Sequence, residues 1–319
     1  MSDGHSLDRI ALAALNAAEM AAIAALAHVG RGDKIAADQA AVDAMRKGLN
    51  AIPMKGRIVI GEGERDEAPM LYIGEEVGTG EGPEIDIALD PLEGTSLTAG
   101  GKPDAMVLLA LAERGGLLHA PDTYMDKIMV GPGLPEGVID LDKSPYDNII
   151  SVARAKGVDP TELTVWVLER ERHDHIVKDV HRAGARVRLI PDGDVAAIVG
   201  IADPDSAGDL YIGRGGAPEG ALAASVLRAM GGQMEGRLHF RTDDERERAK
   251  KTGVTDLDRK YSGAELASKD VIFIATGVTS GFLLKGVEIK DGVASTESLL
   301  LSSANGMRRV IETRRKLGS

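Results

Sequence analysis

Two carboxylates follow an apolar run in the segment IDIALDPLEGTSLTAGG, residues 85–101. Asp90 ends the run, the proline after it keeps the chain extended, and Glu93 comes three residues later. Gly94 lets the chain turn sharply, and Thr95 stands where a helical turn would begin. The backbone N–H groups at a helix start bind anions. The segment therefore predicts a site where two carboxylates lie beside an anion-binding turn.

The chemistry expected of this pair is metal binding. Two carboxylates in a tight turn repel each other, and without a cation at least one of them would protonate. A divalent cation removes the conflict, and hard oxygen ligands favour Mg²⁺ or Mn²⁺, which bridge to substrate phosphates. Taken alone, the hexapeptide DPLEGT is equally compatible with an exposed Asp-Pro turn.

Three more acidic residues lie in comparable positions. Glu62 lies between two glycines after the apolar RIVI, Glu219 opens a predicted helix after three glycines, and Asp33 precedes another predicted helix. Favourable interaction with a helix dipole would also explain Glu219, and simple capping would explain Asp33. These residues support a shared acidic site without requiring one.

The motifs, taken together, resemble a known family. DPLEGT, preceded by GEGE and followed by GGAPEG, resembles the signature of the lithium-sensitive, metal-dependent sugar and inositol phosphatases, with Glu93 where many members have aspartate. The longer runs GEGERDEAPMLYIGE, ALDPLEGT, RVRLIPDGDVAA and YIGRGGAPEG resemble the class II fructose-1,6-bisphosphatases specifically. The similarity extends over nearly the whole chain, from GRGDKIAAD to VIFIATGVTSG and beyond.

This resemblance implies a fold, a reaction and a cofactor. The fold would be α/β, a layered α-β-α-β-α sandwich of the sugar phosphatase type with two domains. The reaction would be hydrolysis of the C1 phosphate of fructose 1,6-bisphosphate by metal-activated water, a step of gluconeogenesis, in a cytoplasmic homo-oligomer that is a dimer or tetramer. The cofactor would be Mg²⁺ or Mn²⁺, and the implied metal ligands are Asp33, Glu62, Asp90, Glu93 and Glu219.

The resemblance also implies catalytic and substrate-binding residues. Thr95 resembles the threonine that orients or activates the water, and Asp90 and Glu62 would complete the catalytic set. Arg170 and Arg172 fall where the family has a basic–proline–basic–histidine run that holds the distal phosphate. Glu171 replaces the proline, and the planar fork of Arg172 suits phosphate. The other implied substrate-binding residues are Glu93, Gly94, Thr95, Tyr124, Asp192, Gly193, Asp194 and Gly216.

Apolar periodicity predicts the elements that position these residues. An alanine-rich N-terminal helix precedes a second helix that begins near residue 33 and ends near 48–50, and RIVI, EIDIALD and AMVLLALAE are predicted strands. From about residue 163, strands alternate with helices, which predicts a mostly parallel sheet. The predicted domains are residues 1–160 and 161–319, and the final strands GFLLKGVEIK and VASTESLLLSS could complete either.

Composition excludes several classes of function. The chain has 319 residues, no cysteine and a formal charge of −12. Thiol catalysis, disulfides and thiolate zinc sites are excluded, and nucleic-acid binding is not expected. A Walker-type phosphate loop is absent from the sequence. The apolar N-terminal stretch carries Asn16 and Glu19 and lacks the positive start of a signal peptide, so we expect a packed helix and no membrane association.

Several alternatives stay open at this level. The enzyme could also hydrolyse sedoheptulose 1,7-bisphosphate, it could be an inositol-type monophosphatase, or the chain could be a catalytically silent sensor of metal and sugar phosphate. His173, His175 and His181 are expected on the polar face of a helix and not at a metal. Trp166 is expected to pack in the core of the second domain.

Overall fold

The structure is a computed structural model that describes residues 4–61, 71–119, 121, 123–203, 208–251 and 254–318. Its helices are α1 (Gly4–Leu26), α2 (Lys34–Asn50), α3 (Thr95–Ala99), α4 (Pro145–Lys156), α5 (Asp174–Ala183), α6 (Asp194–Ala202), α7 (Ala217–Met230), α8 (Asp243–Lys251) and α9 (Gly263–Leu266). Its strands are β1 (Lys55–Ile60), β2 (Glu76–Val77), β3 (Glu84–Glu93), β4 (Met106–Glu113), β5 (Tyr124–Val130), β6 (Thr164–Leu168), β7 (Arg186–Ile190), β8 (Leu210–Gly216), β9 (Gln233–His239), β10 (Lys260–Ser262), β11 (Val271–Gly277), β12 (Glu288–Lys290), β13 (Val293–Ser302) and β14 (Met307–Lys316).

The chain folds into two compact units that differ from the predicted domains. The first unit comprises Met1–Leu117 with Lys269–Ser319, and the second comprises Leu118–Ser268. The predicted boundary after residue 160 lies later than this division, because β5 is hydrogen-bonded to β8 and β9 while the chain from β11 onward pairs with β4. The last strands therefore return to the first unit, one of the two options that the sequence left open. The predicted α/β fold with two sheets and their helices is confirmed.

The first unit contains an eight-stranded sheet in the order β12-β13-β11-β4-β3-β1-β2, with β14 paired to β13. β1 and β3 run parallel, and the other pairings in this sheet are antiparallel. β3 and β4 carry the alternating and continuous apolar patterns predicted for them, and both are buried over most of their length. This sheet holds the carboxyl end of β3, where Asp90 lies.

α1 packs inside the first unit, as predicted. By length and composition, its segment Leu7–Leu26 could cross a membrane, yet more than half of that segment is buried within the structure. Its buried face is alanine-rich, and its polar Glu19 accepts hydrogen bonds from Thr313 and Arg315 of β14. The fully buried alanines are Ala14, Ala17, Ala18, Ala21, Ala22 and Ala25. Small side chains let α1 approach its neighbours closely, so it serves as a core helix.

Gly48 lies where α2 crosses α1, and we predict that it tolerates no side chain. A Cβ placed there would lie 2.6 Å from the Cβ and 2.7 Å from the Cα of Ala17. Helix propensity alone would make Gly48→Ala stabilising by about 0.5–1 kcal/mol. We expect the overpacking to dominate and to lower the free energy of unfolding by about 1–3 kcal/mol in a urea titration. Adding Ala17→Gly should recover part of the loss, and a stabilised Gly48→Ala protein would refute the packing.

The second unit contains a six-stranded sheet in the order β10-β9-β5-β8-β6-β7. Only the pairs β6–β7 and β6–β8 are parallel, so the prediction of a mostly parallel sheet was wrong. Strand–helix alternation correctly indicated the β6–α5–β7–α6–β8 stretch, but the pairs β10–β9, β9–β5 and β5–β8 are antiparallel. Trp166 is fully buried in this unit, as expected.

Helices cover both faces of this sheet. Ile128 of β5 and Ile212 of β8 pack in one core with Ile149 of α4 and Ile176 of α5. The neighbouring side chain of Lys127 points to the other face, where α6 begins. Both α6 and α5 follow the carboxyl ends of strands, which are the common positions of ligand sites in α/β sheets.

Two parts of the C-terminal prediction need correction. The run GFLLKGVEIK is a strand only over Glu288–Lys290, and the chain before it turns back on itself, with Gly281 N–H donating to Leu284 O at 3.0 Å. β14 was not predicted at all, since its arginine-rich, exposed sequence lacks an apolar alternation. It pairs with β13 along its whole length of ten residues.

Candidate active site

The Asp90 corner has the sharp turn at Gly94 and the helix start that the sequence predicted, but the strand does not end at Asp90. β3 continues through Glu93, and its pairing with β4 shifts register between Asp90 and Glu93, so the strand bulges between the two carboxylates. Asp90 Oδ1 accepts a hydrogen bond of 3.0 Å from the backbone N–H of Leu92. Gly94 has φ +84°, a left-handed conformation that favours glycine, and Thr95 is the first residue of α3. Glu93 is buried.

Asp33 is tied to the same corner through the backbone. It caps α2, with Oδ1 accepting 2.9 Å from the N–H of Ala36. The loop just before it is bonded to the end of α3, because Gly30 N–H donates to Thr98 O at 2.8 Å and Gly32 N–H donates to Ala99 O at 2.9 Å. Asp33 is exposed. The first unit therefore brings the Asp33 loop against the helix that follows Asp90 and Glu93.

β1 places the start of the GEGE motif beside β3. The two strands are parallel, and Ile60 pairs with Ala88, two residues before Asp90. Glu62 itself lies outside the described residues. Within those residues, no group of three or more histidine, aspartate or glutamate side chains is close enough to hold a metal ion by itself. The structure thus places Asp33, Asp90 and Glu93 on neighbouring elements and leaves their joint coordination of an ion as a proposal.

Glu219 lies in the second unit, in the first turn of α7. Its carboxylate folds back over the helix start and lies close to Gly216. A Cβ built on Gly216 would be 2.0 Å from Glu219 Oε2. A side chain at position 216 would therefore displace the Glu219 carboxylate from this place. Gly216 also pairs directly with Tyr124 of the neighbouring strand. The second unit therefore brings three predicted site residues, Tyr124, Gly216 and Glu219, to one end of its sheet.

Asp194 is held by a buried lysine that the sequence analysis did not single out. Lys127 is fully buried, and its Nζ lies 2.5 Å from Asp194 Oδ2 and 3.1 Å from the carbonyl oxygen of Gly216. The hydroxyl of Tyr211 donates to the same Asp194 oxygen at 3.0 Å. Burial, and then the Asp194 charge, raise the pKa of Tyr211 well above its usual value, so Tyr211 stays protonated. Lys127 thus joins the DGD turn to the GGAPEG turn.

The DGD turn has the form of an anion-binding helix start. Gly193 has φ +76° and precedes α6, whose first residue is Asp194. Asp192 lies 3.3 Å from Arg170. Arg170 also donates to the carbonyls of Glu169 and Pro191, so its side chain braces the turn. The predicted pair of arginines is therefore divided, with Arg170 committed to the DGD turn.

Arg172 occupies a different place from Arg170. Its Nη2 and Nε donate to the carbonyl oxygen of Arg214 at 2.8 and 3.2 Å. A cleft of about 280 Å³ opens beside it on the α4–α5 face of the sheet. The charged side chains that line this cleft are Asp126, Lys143, Arg172, Arg214 and Arg237, of which Arg214 is paired with Asp126 and Arg237 with Asp142. A basic lining in a chain of net charge −12 is suited to an anionic ligand.

His173 is buried, contrary to the expectation that it lies on a polar helix face. Its Nδ1 donates to Leu168 O at 2.8 Å, and its Nε2 accepts from the backbone N–H of Arg214 at 2.8 Å. Both bonds require a neutral ring protonated at Nδ1. Burial is the main reason that the pKa of His173 is lowered, and the charges of Arg172 and Arg214 add to it. Both ring nitrogens of the histidine are therefore engaged by the backbone, and the ring links the end of β6 to β8.

We predict an acid-sensitive stability from His173. Its folded pKa lies below the unfolded value of about 6.5, so the unfolded chain binds the extra proton first. The stabilisation is complete above about pH 6.5 and is lost as the pH falls through the folded pKa. In urea titrations, the free energy of unfolding should fall less between pH 7.5 and pH 5.5 in His173→Gln than in the unaltered protein. The exposed His181→Gln should keep the unaltered pH dependence, and identical behaviour of all three proteins would contradict this assignment.

The chain was also compared with known proteins. Residues 8–315 match the family described as bacterial fructose-1,6-bisphosphatase, glpX-encoded. The fructose-1,6-bisphosphatase 1 class 2 of Escherichia coli (strain K12) is 47% identical over 308 residues, covering 92% of this chain and 91% of the relative. The D-fructose 1,6-bisphosphatase class 2/sedoheptulose 1,7-bisphosphatase of Synechococcus sp. (strain JA-3-3Ab) is 43% identical over 331 residues, covering 96% and 95%. The protein of the same name from Thermosynechococcus vestitus is 45% identical over 332 residues, covering 95% of each chain.

Proposed function

Because the chain belongs to the family of bacterial, glpX-encoded fructose-1,6-bisphosphatases, we propose that it hydrolyses the C1 phosphate of fructose 1,6-bisphosphate to give fructose 6-phosphate and phosphate. The chain is a phosphoric monoester hydrolase, and its relatives are named as class 2 fructose-1,6-bisphosphatases. The observation that carries the proposal is the Asp90 corner, where a strand bulge, a left-handed Gly94 and the start of α3 lie within six residues and bring two carboxylates together.

We propose Asp33, Glu62, Asp90, Glu93 and Glu219 as ligands of Mg²⁺ or Mn²⁺. All five supply hard carboxylate oxygens, which fit these ions, and Asp90 and Glu93 flank a single bulge. Bound divalent ions would neutralise phosphoryl charge and lower the pKa of the attacking water. Asp90 and Glu62, with Thr95 at the start of α3, are the proposed catalytic residues. The proposed substrate contacts are Glu93, Gly94, Thr95, Tyr124, Arg170, Arg172, Asp192, Gly193, Asp194 and Gly216.

Metal removal tests this function. We expect phosphate release from fructose 1,6-bisphosphate to fall to background after exhaustive treatment with EDTA, because members of this family are metal-dependent phosphatases. Addition of Mg²⁺ or Mn²⁺ should restore it, and phosphorus NMR should show loss of the C1 phosphate alone. Full activity in metal-free protein, or loss of the C6 phosphate, would contradict the proposal. If calorimetry shows binding of metal and sugar phosphate without any turnover, the alternative of a catalytically silent sensor would be favoured.

A second substrate is favoured by the comparisons. Relatives that carry the double name are 43% and 45% identical to this chain, close to the 47% of the relative named for fructose 1,6-bisphosphate alone. We therefore include sedoheptulose 1,7-bisphosphate as a candidate substrate, tested by comparing kcat/KM for the two sugars. We further propose a cytoplasmic homo-oligomer, a dimer or tetramer, which light scattering of the purified protein would establish.

A further inference from the structure

Two guanidinium groups lie over the ring of Tyr124. The Cζ atom of Arg172 is 5.2 Å from the ring centroid, and that of Arg241 is 4.7 Å away. Both distances fall within the range of cation–π attraction. Tyr124 and Arg172 are proposed substrate contacts, whereas Arg241 is not among the site residues that the resemblance implies. The second unit thus gathers two positive charges at one predicted substrate-binding side chain.

A buried carboxylate fixes Arg241 in this position. Glu245 is buried in the first turn of α8. Its Oε1 accepts from Nη2 and Nε of Arg241 at 2.5 and 2.8 Å, and its Oε2 accepts from the backbone N–H of Arg241 at 2.6 Å. Burial acts to raise the pKa of Glu245, but the hydrogen bonds from Arg241 outweigh it, so the pKa is lowered and the carboxylate stays charged.

The same carboxylate is bonded to the residue before Tyr124. The hydroxyl of Thr123 lies 3.3 Å from Glu245 Oε2 and donates to the carbonyl of His239 at 2.8 Å. A buried carboxylate is costly unless it is hydrogen-bonded, and this one is bonded both to the arginine and to the residue that precedes β5. Arg241 is therefore held rigidly beside Tyr124 although its own side chain is 55% exposed.

The distal phosphate calls for a second guanidinium besides Arg172, and Arg241 is better placed than Arg170 to supply it. A phosphate monoester carries close to two negative charges at neutral pH, and planar guanidinium forks are its preferred partners. Arg170 is bound to the carbonyls of Glu169 and Pro191 and to Asp192, so it braces the DGD turn. Only Arg172 of the predicted pair lies at Tyr124.

We infer that Arg241 is the second guanidinium for the distal phosphate of the sugar bisphosphate, with Glu245 as its positioning residue. This inference rests on the proposed function. Arg241 then acts in substrate affinity and in the preference for two-phosphate over one-phosphate substrates. It takes no part in activating water, so kcat should change little when it is replaced.

Two monophosphates separate the contributions of the two ends of the substrate. In metal-loaded protein, Arg241→Gln should raise KM for fructose 1,6-bisphosphate and the inhibition constant of fructose 6-phosphate about tenfold or more, as for a lost hydrogen bond to a charged group. The inhibition constant of fructose 1-phosphate, which lacks the distal phosphate, should stay within about twofold. Arg241→Lys keeps the charge without the fork and should give a smaller increase for fructose 6-phosphate.

Arg246 provides the matched control. It follows Glu245 in α8, is 44% exposed and is 3.8 Å from Asp243, so Arg246→Gln should alter none of these constants. Glu245→Gln should reproduce part of the Arg241→Gln effect. An equal rise for both monophosphates would show a structural role, and no rise for either would show that Arg241 does not contact substrate; both outcomes overturn the inference. If the unaltered protein releases no phosphate, the proposed function fails independently.

Discussion

Asp90→Asn is expected to lower kcat for phosphate release by about a thousandfold. Metal ions contribute several kcal/mol of charge stabilisation in such reactions, and each 1.4 kcal/mol corresponds to a factor of ten. An asparagine keeps the shape of the side chain and can still accept the hydrogen bond from Leu92 N–H, so the corner should stay folded. What it loses is the negative charge that the proposed cation requires. Initial rates at saturating substrate and metal measure the change.

A surface carboxylate in the same unit serves as the control. Asp43 lies on α2 with 64% of its side chain exposed, and Asp43→Asn should retain full activity. Titration with Mn²⁺ should also show a lower affinity for the metal in Asp90→Asn than in the control. If Asp90→Asn keeps more than about a tenth of the kcat while its circular dichroism is unchanged, Asp90 is not a catalytic metal ligand.

Lys127→Met should have the largest effect on stability, lowering the free energy of unfolding by about 3–5 kcal/mol. The substitution leaves the Asp194 carboxylate buried without its cation, since Lys127 and Asp194 are 0% and 5% exposed. It also removes the ammonium group that donates to both Asp194 and the Gly216 carbonyl and so links the two turns. Activity should fall as well, because both turns belong to the proposed substrate site.

A double variant distinguishes the ion pair from simple packing. Lys127→Met combined with Asp194→Asn removes the uncompensated charge while the amide can still accept from Tyr211. The double variant should therefore be more stable than Lys127→Met alone in urea titrations, even though it contains one more substitution. If the single variant costs less than about 1 kcal/mol, or the double variant is the less stable, the buried ion pair does not stabilise the two turns.

Local patterns predicted the Asp90 corner well. The alternation of residues 85–89, the proline after Asp90 and the glycine at 94 act over a few residues, and the structure has the predicted strand and left-handed turn there, together with a bulge that was not predicted. The cap of α2 by Asp33 was equally local. Such features depend on steric limits and backbone hydrogen bonds within one or two turns, so a single sequence carries the information.

Long-range pairing could not be predicted in the same way. β11 lies beside β4 with Phe273 opposite Ala110, and the sequence between them holds the entire second unit. Periodicity indicates that a strand is buried and does not indicate which strand is its partner. The division of the chain and the antiparallel pairs of the second sheet were missed for this reason.

Buried charges were the other omission. Lys127 interrupts the apolar run YMDKIMV, and an interior lysine in such a run was the available signal. His173 and Glu245 occur in charged segments that look solvated, and only the fold shows that both are buried. The partner of His173 is the Arg214 backbone, 41 residues away in the chain, whereas Glu245 is bonded to Arg241, four residues before it.

A crystal structure of the protein with Mn²⁺ and fructose 6-phosphate gives the most direct check. Anomalous scattering should locate manganese bonded to carboxylate oxygens of Asp90 and Glu93, with Asp33, Glu62 and Glu219 completing the ligand set. The sugar phosphate should lie against Tyr124 and Arg172. Manganese bound elsewhere, or an Asp90 corner that stays free of metal at saturating concentrations, would contradict the proposed phosphatase site.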